Sequence, residues 1–339
     1  MFLLDILKSK QKKQTLKVTM LGYTGVGKTS LLCAMYDQFH KLIGKTNLQL
    51  TPDEETKTIL LNRLQELKNS AQGNGFKIQG GIRLTEEPKT YSFSLGKTGE
   101  NPSIDIQFQD YSGEDLIPKE NDSKKAEKKE QIKQYIEESV AIIIAIDTPA
   151  LIEKNGKWHD EFNQPDIIYN YLTTHLKNLD TPKLIIFAPV KCEKYLRNSQ
   201  EQNKLITTIQ QKYKHFFDYF RNGSLNSNLA VVMTPVQTLG SIDYAYIEED
   251  ENEKPTFYFS KVHPKDNYSP KNSEQPLRYL LRFLLKLYLQ NRKMSFLESI
   301  FSFMQKDQVF IDAIKEFSFG CNIDGTCIVF QGENLLTIN

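Results

Sequence analysis

Gly22-Tyr23-Thr24-Gly25-Val26-Gly27-Lys28-Thr29 places glycine, lysine and threonine at the spacing G-x-x-x-x-G-K-[ST]. That is the pattern of a loop that wraps phosphate. Its glycines let the backbone turn tightly enough for N–H groups from Gly22 to Ser30, those of Thr24, Gly25, Val26 and Gly27 among them, to face phosphate oxygens. The following helix adds the positive end of its dipole. Lys28 is expected to reach the β- and γ-phosphates, and Thr29 to offer its hydroxyl to Mg²⁺. A second group follows at Asp110-Tyr111-Ser112-Gly113, a D-x-x-G at the end of the alternating run Ile104, Ile106, Phe108. Asp110 is placed to hold Mg²⁺ through water and the Gly113 N–H to meet the γ-phosphate. The plainer alternative is a strand exit in which Asp and Gly serve only as turn formers.

These groups need a scaffold that brings strand ends together. The run Lys17-Val18-Thr19-Met20-Leu21 before the loop reads as a buried strand. Leu31, Leu32, Met35, Tyr36 and Phe39 after it recur at helical spacing. Six strands are expected, over 16–21, 89–95, 104–109, 141–146, 183–188 and 229–233. They alternate with helices, the strongest carrying Leu205, Ile209, Tyr213, Phe216 and Phe220, with others over 166–176 and 277–289. The fold class is therefore α/β, a three-layer α/β/α sheet of the P-loop NTPase kind with large insertions and a C-terminal extension. The expected organisation is an apolar and basic N-terminal segment (1–14), the nucleotide domain (15–291), and an extension (292–339) of one helix near 309–317 plus a hairpin of 326–330 with 335–338. Insertions fall near 44–89, with a helix over 53–67, near 119–133, a Lys/Glu run that reads as a solvated helix or loop, and near 241–276, a hairpin of 244–247 with 256–259.

Composition narrows the class. Lys plus Arg, at 43, nearly equals Asp plus Glu, at 42, so no global field argues for nucleic acid. Cys33, Cys192, Cys321 and Cys327 match neither a zinc nor a redox spacing and read as free thiols of a reducing, cytoplasmic compartment. The five histidines are scattered, which predicts no histidine metal or acid–base centre. No apolar run approaches the ~18 residues of a membrane span. Residues 2–13, apolar and then lysine-rich, have the wrong order for a signal peptide. They suit a membrane interface or a partner, or a terminus packed on the body or frayed.

With these motifs in this order, residues 16–290 resemble the P-loop GTPases of the Ras-like, translation-factor-related class. Asp110-Tyr111-Ser112-Gly113-Glu114 and Pro235-Val236-Gln237-Thr238 resemble bacterial members found in double-GTPase systems. The resemblance implies GTP or GDP with Mg²⁺, a switch acting on a protein effector or GTPase-activating partner, and, in some members, dimerisation across the nucleotide. It implies a threonine before the second strand that completes the Mg²⁺ shell. Thr85 is the choice here, with Thr90, Thr46, Thr51 and Thr56 as alternatives. It places base recognition at Val190-Lys191-Cys192-Glu193, where the usual N-K-x-D has lost its Asn to Val190 and its Asp to Glu193. Thr234-Pro235-Val236 stands where a backbone contact to the base is expected. Glu114 replaces the glutamine that orients attacking water, and a carboxylate there repels the γ-phosphate, so turnover is expected to be slow. No arginine is assigned as a finger in cis; Arg83 in the first insertion is the nearest candidate, and a partner is the alternative source. Other readings are a nucleotide-holding scaffold without hydrolysis, an ATPase or nucleotide kinase, and a nucleotide-regulated membrane-surface adaptor.

Overall fold

The computed structural model describes residues 15–338 apart from 74, 80–88, 101, 103, 112–122, 178, 224, 291–296 and 323. Its strands are β1 (Thr15–Leu21), β2 (Leu48–Pro52), β3 (Gly75–Gln79), β4 (Lys89–Lys97), β5 (Ile104–Asp110), β6 (Ala141–Asp147), β7 (Lys183–Val190), β8 (Leu229–Met233), β9 (Ile242–Glu249), β10 (Pro255–Lys261) and β11 (Ile328–Gln331). The helices are α1 (Lys28–Thr46), α2 (Glu54–Gln72), α3 (Ser123–Glu138), α4 (Thr148–Ile152), α5 (His159–Asn163), α6 (Pro165–His175), α7 (Ser199–Lys212), α8 (Lys214–Phe220), α9 (Leu225–Asn228), α10 (Gln275–Leu289), α11 (Glu298–Met304) and α12 (Gln308–Phe319).

Period-two alternation along the central strands divides the core into two layers. In β6, Ala141, Ile143 and Ala145 face one core while Ile142, Ile144 and Ile146 face the other. Leu32, Leu281 and Phe317 of α1, α10 and α12 cover the first face. Ile136, Leu172, Ile209 and Phe216 of α3, α6, α7 and α8 cover the second. A strand buried on both faces must be apolar throughout, which is why β6, β7 and β8 read as continuous apolar runs. The sheet order is β11-β8-β7-β6-β1-β5-β4-β2, parallel from β8 to β5 and antiparallel at β4, β2 and β11. This is the three-layer α/β arrangement expected of the sequence.

The insertions form structure of their own. Asp53 caps α2 by accepting from the Thr56 N–H at 2.8 Å, and Thr56 in turn accepts from the Ser92 N–H at 2.9 Å, fixing α2 against β4. The hairpin expected in the third insertion forms as β9 and β10, and β3 of the first insertion pairs antiparallel with β10 to make a separate three-stranded sheet. The Lys/Glu run continues into α3. The single helix expected through Phe220 is broken at Tyr213 into α7 and α8, although Leu205, Ile209, Tyr213, Phe216 and Phe220 all remain buried.

The tail departs from expectation. Residues 326–330 and 335–338 do not form a hairpin with each other, because β11 adds to the main sheet beside β8 and the chain then makes a short 3₁₀ turn that buries Leu335. The edge of β8 is a stronger template than a two-stranded ribbon alone. Gly332 sits at φ +73°, where a Cβ would lie 2.3 Å from the Leu229 carbonyl, so only glycine allows this close return. The tail also lies on α10: Arg278 donates to the Phe317 carbonyl and Arg282 to that of Leu336. Among the described residues no helix is long and apolar enough to cross a membrane.

Candidate nucleotide site

The site lies where β1, β5 and β7 end, the edge on which parallel α/β sheets gather ligands. The loop between β1 and α1 closes with a Val26 N–H to Tyr23 carbonyl bond of 3.2 Å. Gly27, at φ +117°, is the N-cap of α1, and its side-chain-free cap leaves the first helical N–H groups without a side-chain acceptor. Lys28 is 7 % exposed and its Nζ donates to the Gly22 carbonyl at 2.8 Å. The same ammonium stands 3.4 Å from Asp110 Oδ1, and the Thr29 hydroxyl donates to Asp110 Oδ2 at 3.0 Å. Lys28 and Thr29 of the phosphate loop thus meet at the carboxylate of Asp110 from a distant part of the chain. Tyr91 of β4 lines the same space, and burial beside Asp110 pushes its phenol up to about 12.

The cleft has a volume of about 580 Å³, within the ~300–1,000 Å³ span of small-molecule sites. Its floor is Gly25, Gly27, Lys28, Thr29, Ser30 and Asp110. Residues of α2, Lys191, Glu193 and Leu239 also line the cleft, as do Phe76 and Phe259 of the three-stranded sheet. Phe259 lies 5.9 Å from the Lys191 ammonium. A second, open groove of about 420 Å³ crosses β2, β4 and β5 and is lined by Thr51, Ser92, Ser94 and Asp105, none of them part of the phosphate loop.

On the base side the expected residues acquire partners that sequence reasoning did not foresee. Lys191, at φ +59°, pairs with Asp147 at the end of β6. Asp147 is braced by Asn163, whose Oδ1 accepts from the Asp147 N–H at 2.7 Å and whose Nδ2 donates to its carbonyl at 3.2 Å. Asn163 thus supplies a polar brace in a region where Val190 cannot. Glu193 is 6 % exposed, and its Oε1 accepts from the Leu239 and Gly240 N–H groups at 2.8 and 3.1 Å. Burial raises its pKa while those two bonds oppose the rise. Its carboxylate therefore fastens the loop after β8, and Thr238 and Leu239 of that loop, rather than Thr234, line the cleft. Thr234 is fully buried, with its N–H bonded to the Phe187 carbonyl.

Thr85, Gly113, Glu114 and Arg83 lie outside the described residues, as do residues 2–13. Of the other threonines considered, Thr56 bonds to β4, Thr90 to Gln109 and Thr46 to the Leu42 carbonyl, while Thr51 accepts from Gln49; none lines the cleft. Arg63 of α2, which the sequence did not single out, does line it and donates from Nη2 to Ser30 Oγ at 3.1 Å. No group of three or more His, Cys, Asp or Glu suited to a metal occurs among the described residues.

Comparison with solved structures returns matches of low identity. The signal recognition particle receptor SRb-GTP/SRX complex from Chaetomium thermophilum aligns at 14% identity and TM-score 0.35, over 67% of this chain and 92% of that one. The S. cerevisiae Ski7 GTPase-like domain, bound to GTP or to GDP and inorganic phosphate, aligns at 16% and 13% identity and TM-score 0.36, over 66% of this chain but only 43% of the Ski7 chains. No curated protein matches the chain. The profile of the Double-GTPase 2 family, DO-GTPase2, matches residues 17–229, from the first strand of the phosphate site to the start of β8. That span is well over half the chain and carries Lys28, Thr29 and Asp110, so this protein belongs to the Double-GTPase 2 family and its core is a P-loop GTPase domain.

Proposed function

We propose that the chain binds GTP and GDP with Mg²⁺, hydrolyses GTP slowly, and uses the difference between the two forms to act on a protein partner. The observation that carries this reading is the meeting of Lys28, Thr29 and Asp110 at the mouth of the sheet. A hydroxyl and a carboxylate 3.0 Å apart are hard oxygen donors. They fit Mg²⁺, which takes few protein ligands when phosphate and water supply the rest. Thr29 would hold the ion directly and Asp110 through water, and the ion, when bound, neutralises charge on the phosphate oxygens.

Lys28 and the loop N–H groups would orient the phosphates, the Lys191 stem would flank the base, and the Glu193 carboxylate would set the loop at 238–240 against it. Gly113 is read as the γ-phosphate contact, Thr85 as the residue that closes the Mg²⁺ shell from the first insertion, and Glu114 as the group beside the attacking water. A carboxylate near the γ-phosphate slows the step until a partner supplies a compensating cation. Bacterial double-GTPase systems are the setting that the loops at 110–114 and 235–238 suggest.

Single-turnover assays with GTP and Mg²⁺ test the proposal. Slow release of phosphate from GTP and not ATP, lost in Lys28→Ala, is expected, and equal turnover of ATP would overturn the guanine reading. The aromatic sheet over the cleft favours a second reading, a holder of nucleotide without turnover. Copurified nucleotide that stays intact on incubation would select it.

A further inference from the structure

Helix α2 belongs to the first insertion, yet it directs one cation at the phosphate loop. Arg63 Nη2 donates to Ser30 Oγ at 3.1 Å and Nη1 to Glu66 Oε2 at 2.6 Å. Ser30 stands two residues beyond Lys28 in the first turn of α1, where the helix dipole gathers anions. Asp53, Thr56 and Ser92 fix the start of α2 to β4, so the arginine approaches from an anchored helix. A guanidinium carries more donors than these two bonds use, and the side chain, 43 % exposed, lines the cleft.

The geometry points to Arg63 as a phosphate-binding residue supplied in cis by the first insertion, contacting the phosphate oxygens that lie over the first turn of α1 in both GDP and GTP. This rests on the guanine-nucleotide reading above. The residue serves binding more than hydrolysis because Lys28, the group suited to the terminal phosphates, is held separately on Gly22 and Asp110, whereas Arg63 engages the helix further from the loop's start. Glu66 is its competitor. When phosphate binds, the guanidinium exchanges a solvated carboxylate, 63 % exposed, for phosphate oxygens that can likewise accept two of its N–H bonds.

The test is calorimetric titration of GDP and a non-hydrolysable GTP analogue into the full chain and its Arg63→Ala, Glu66→Gln and Lys28→Ala variants, with turnover of bound GTP measured alongside. Arg63→Ala should weaken both nucleotides about tenfold, GDP as much as the GTP analogue. Glu66→Gln should tighten both about two- to fivefold, a gain that misfolding would not produce. Wild-type affinities in Arg63→Ala, slower turnover with unchanged affinity, or no gain in Glu66→Gln would each overturn the assignment. If the wild type binds guanine nucleotide and loses it in Lys28→Ala while Arg63 makes no difference, only the arginine role fails. If the wild type binds neither nucleotide, both readings fail.

Discussion

Phe76 and Phe259 stack with ring centroids 4.9 Å apart and planes 10° from parallel, although one belongs to the first insertion and the other to the third. They are direct partners in the β3–β10 register, and both face the cleft. The small sheet is therefore completed only when the two insertions meet, and two of its rings line the cleft beside the phosphate loop. Stacked rings contribute ~0.5–1.5 kcal/mol beyond area burial.

Phe76→Ala should therefore accelerate dissociation of a fluorescent GDP analogue about two- to tenfold while the melting temperature moves little. Stopped-flow displacement measures this directly. An unchanged off-rate would mean that the sheet does not restrain the ligand.

Glu193→Ala should destabilise the fold by ~2–4 kcal/mol, since it leaves the Leu239 and Gly240 N–H groups without their acceptor. Glu193→Gln keeps a carbonyl acceptor and should lose clearly less. Urea denaturation of the three proteins decides it, and equal losses in the two variants would show that the carbonyl oxygen does not replace the carboxylate.

The same residue illustrates how much of the site the sequence discloses. The types at 22–30 and Asp110 were readable because phosphate chemistry fixes both residue and spacing. Among the six central strands, β6, β7 and β8 were readable because burial on both faces demands apolar runs such as Ala141-Ile142-Ile143-Ile144-Ala145-Ile146, and β4 and β5 because apolar residues alternate along them. Glu193 was legible as a functional position but not as a fastener of the 239–240 backbone, because that pairing depends on how a distant loop returns. Asn163 and Arg63 were invisible for a related reason, being polar residues in a short helix and on an amphipathic one, which usually face solvent. β2 escaped as a five-residue edge strand containing Pro52, and β3 because its partner lies in another insertion. The tail misled because a strand followed by Gln331-Gly332-Glu333-Asn334 has local hairpin chemistry, whereas the open edge of β8 decides the pairing.

His159 should make stability depend on pH. Its ring is 1 % exposed and hydrogen-bonded to Asn163 at 3.1 Å, and burial brings its pKa down to about 4 from 6.5. Between these values the unfolded chain binds the proton and the native one does not. The contribution is therefore complete above about pH 6.5 and is lost as pH falls toward 4, by up to ~3 kcal/mol. Urea unfolding from pH 4.5 to 7.5 should show this slope, reduced in His159→Phe. An identical slope in the variant would assign the acid sensitivity elsewhere.

Removing residues 327–339 should cost at least ~4 kcal/mol or prevent soluble expression, because it strips β11 from β8 and removes the buried Leu335 and Leu336. Thermal melts of the truncated chain test this. A truncated protein as stable as the full chain would make the tail an appendage.

The most direct test of the central claim is calorimetric titration of GDP and ADP into the purified chain with Mg²⁺, repeated with Lys28→Ala. Binding of GDP at least tenfold tighter than ADP, abolished in the variant, is the predicted result. Equal or tighter binding of ADP, or GDP binding that survives loss of Lys28, would contradict the assignment of this cleft as a guanine-nucleotide site.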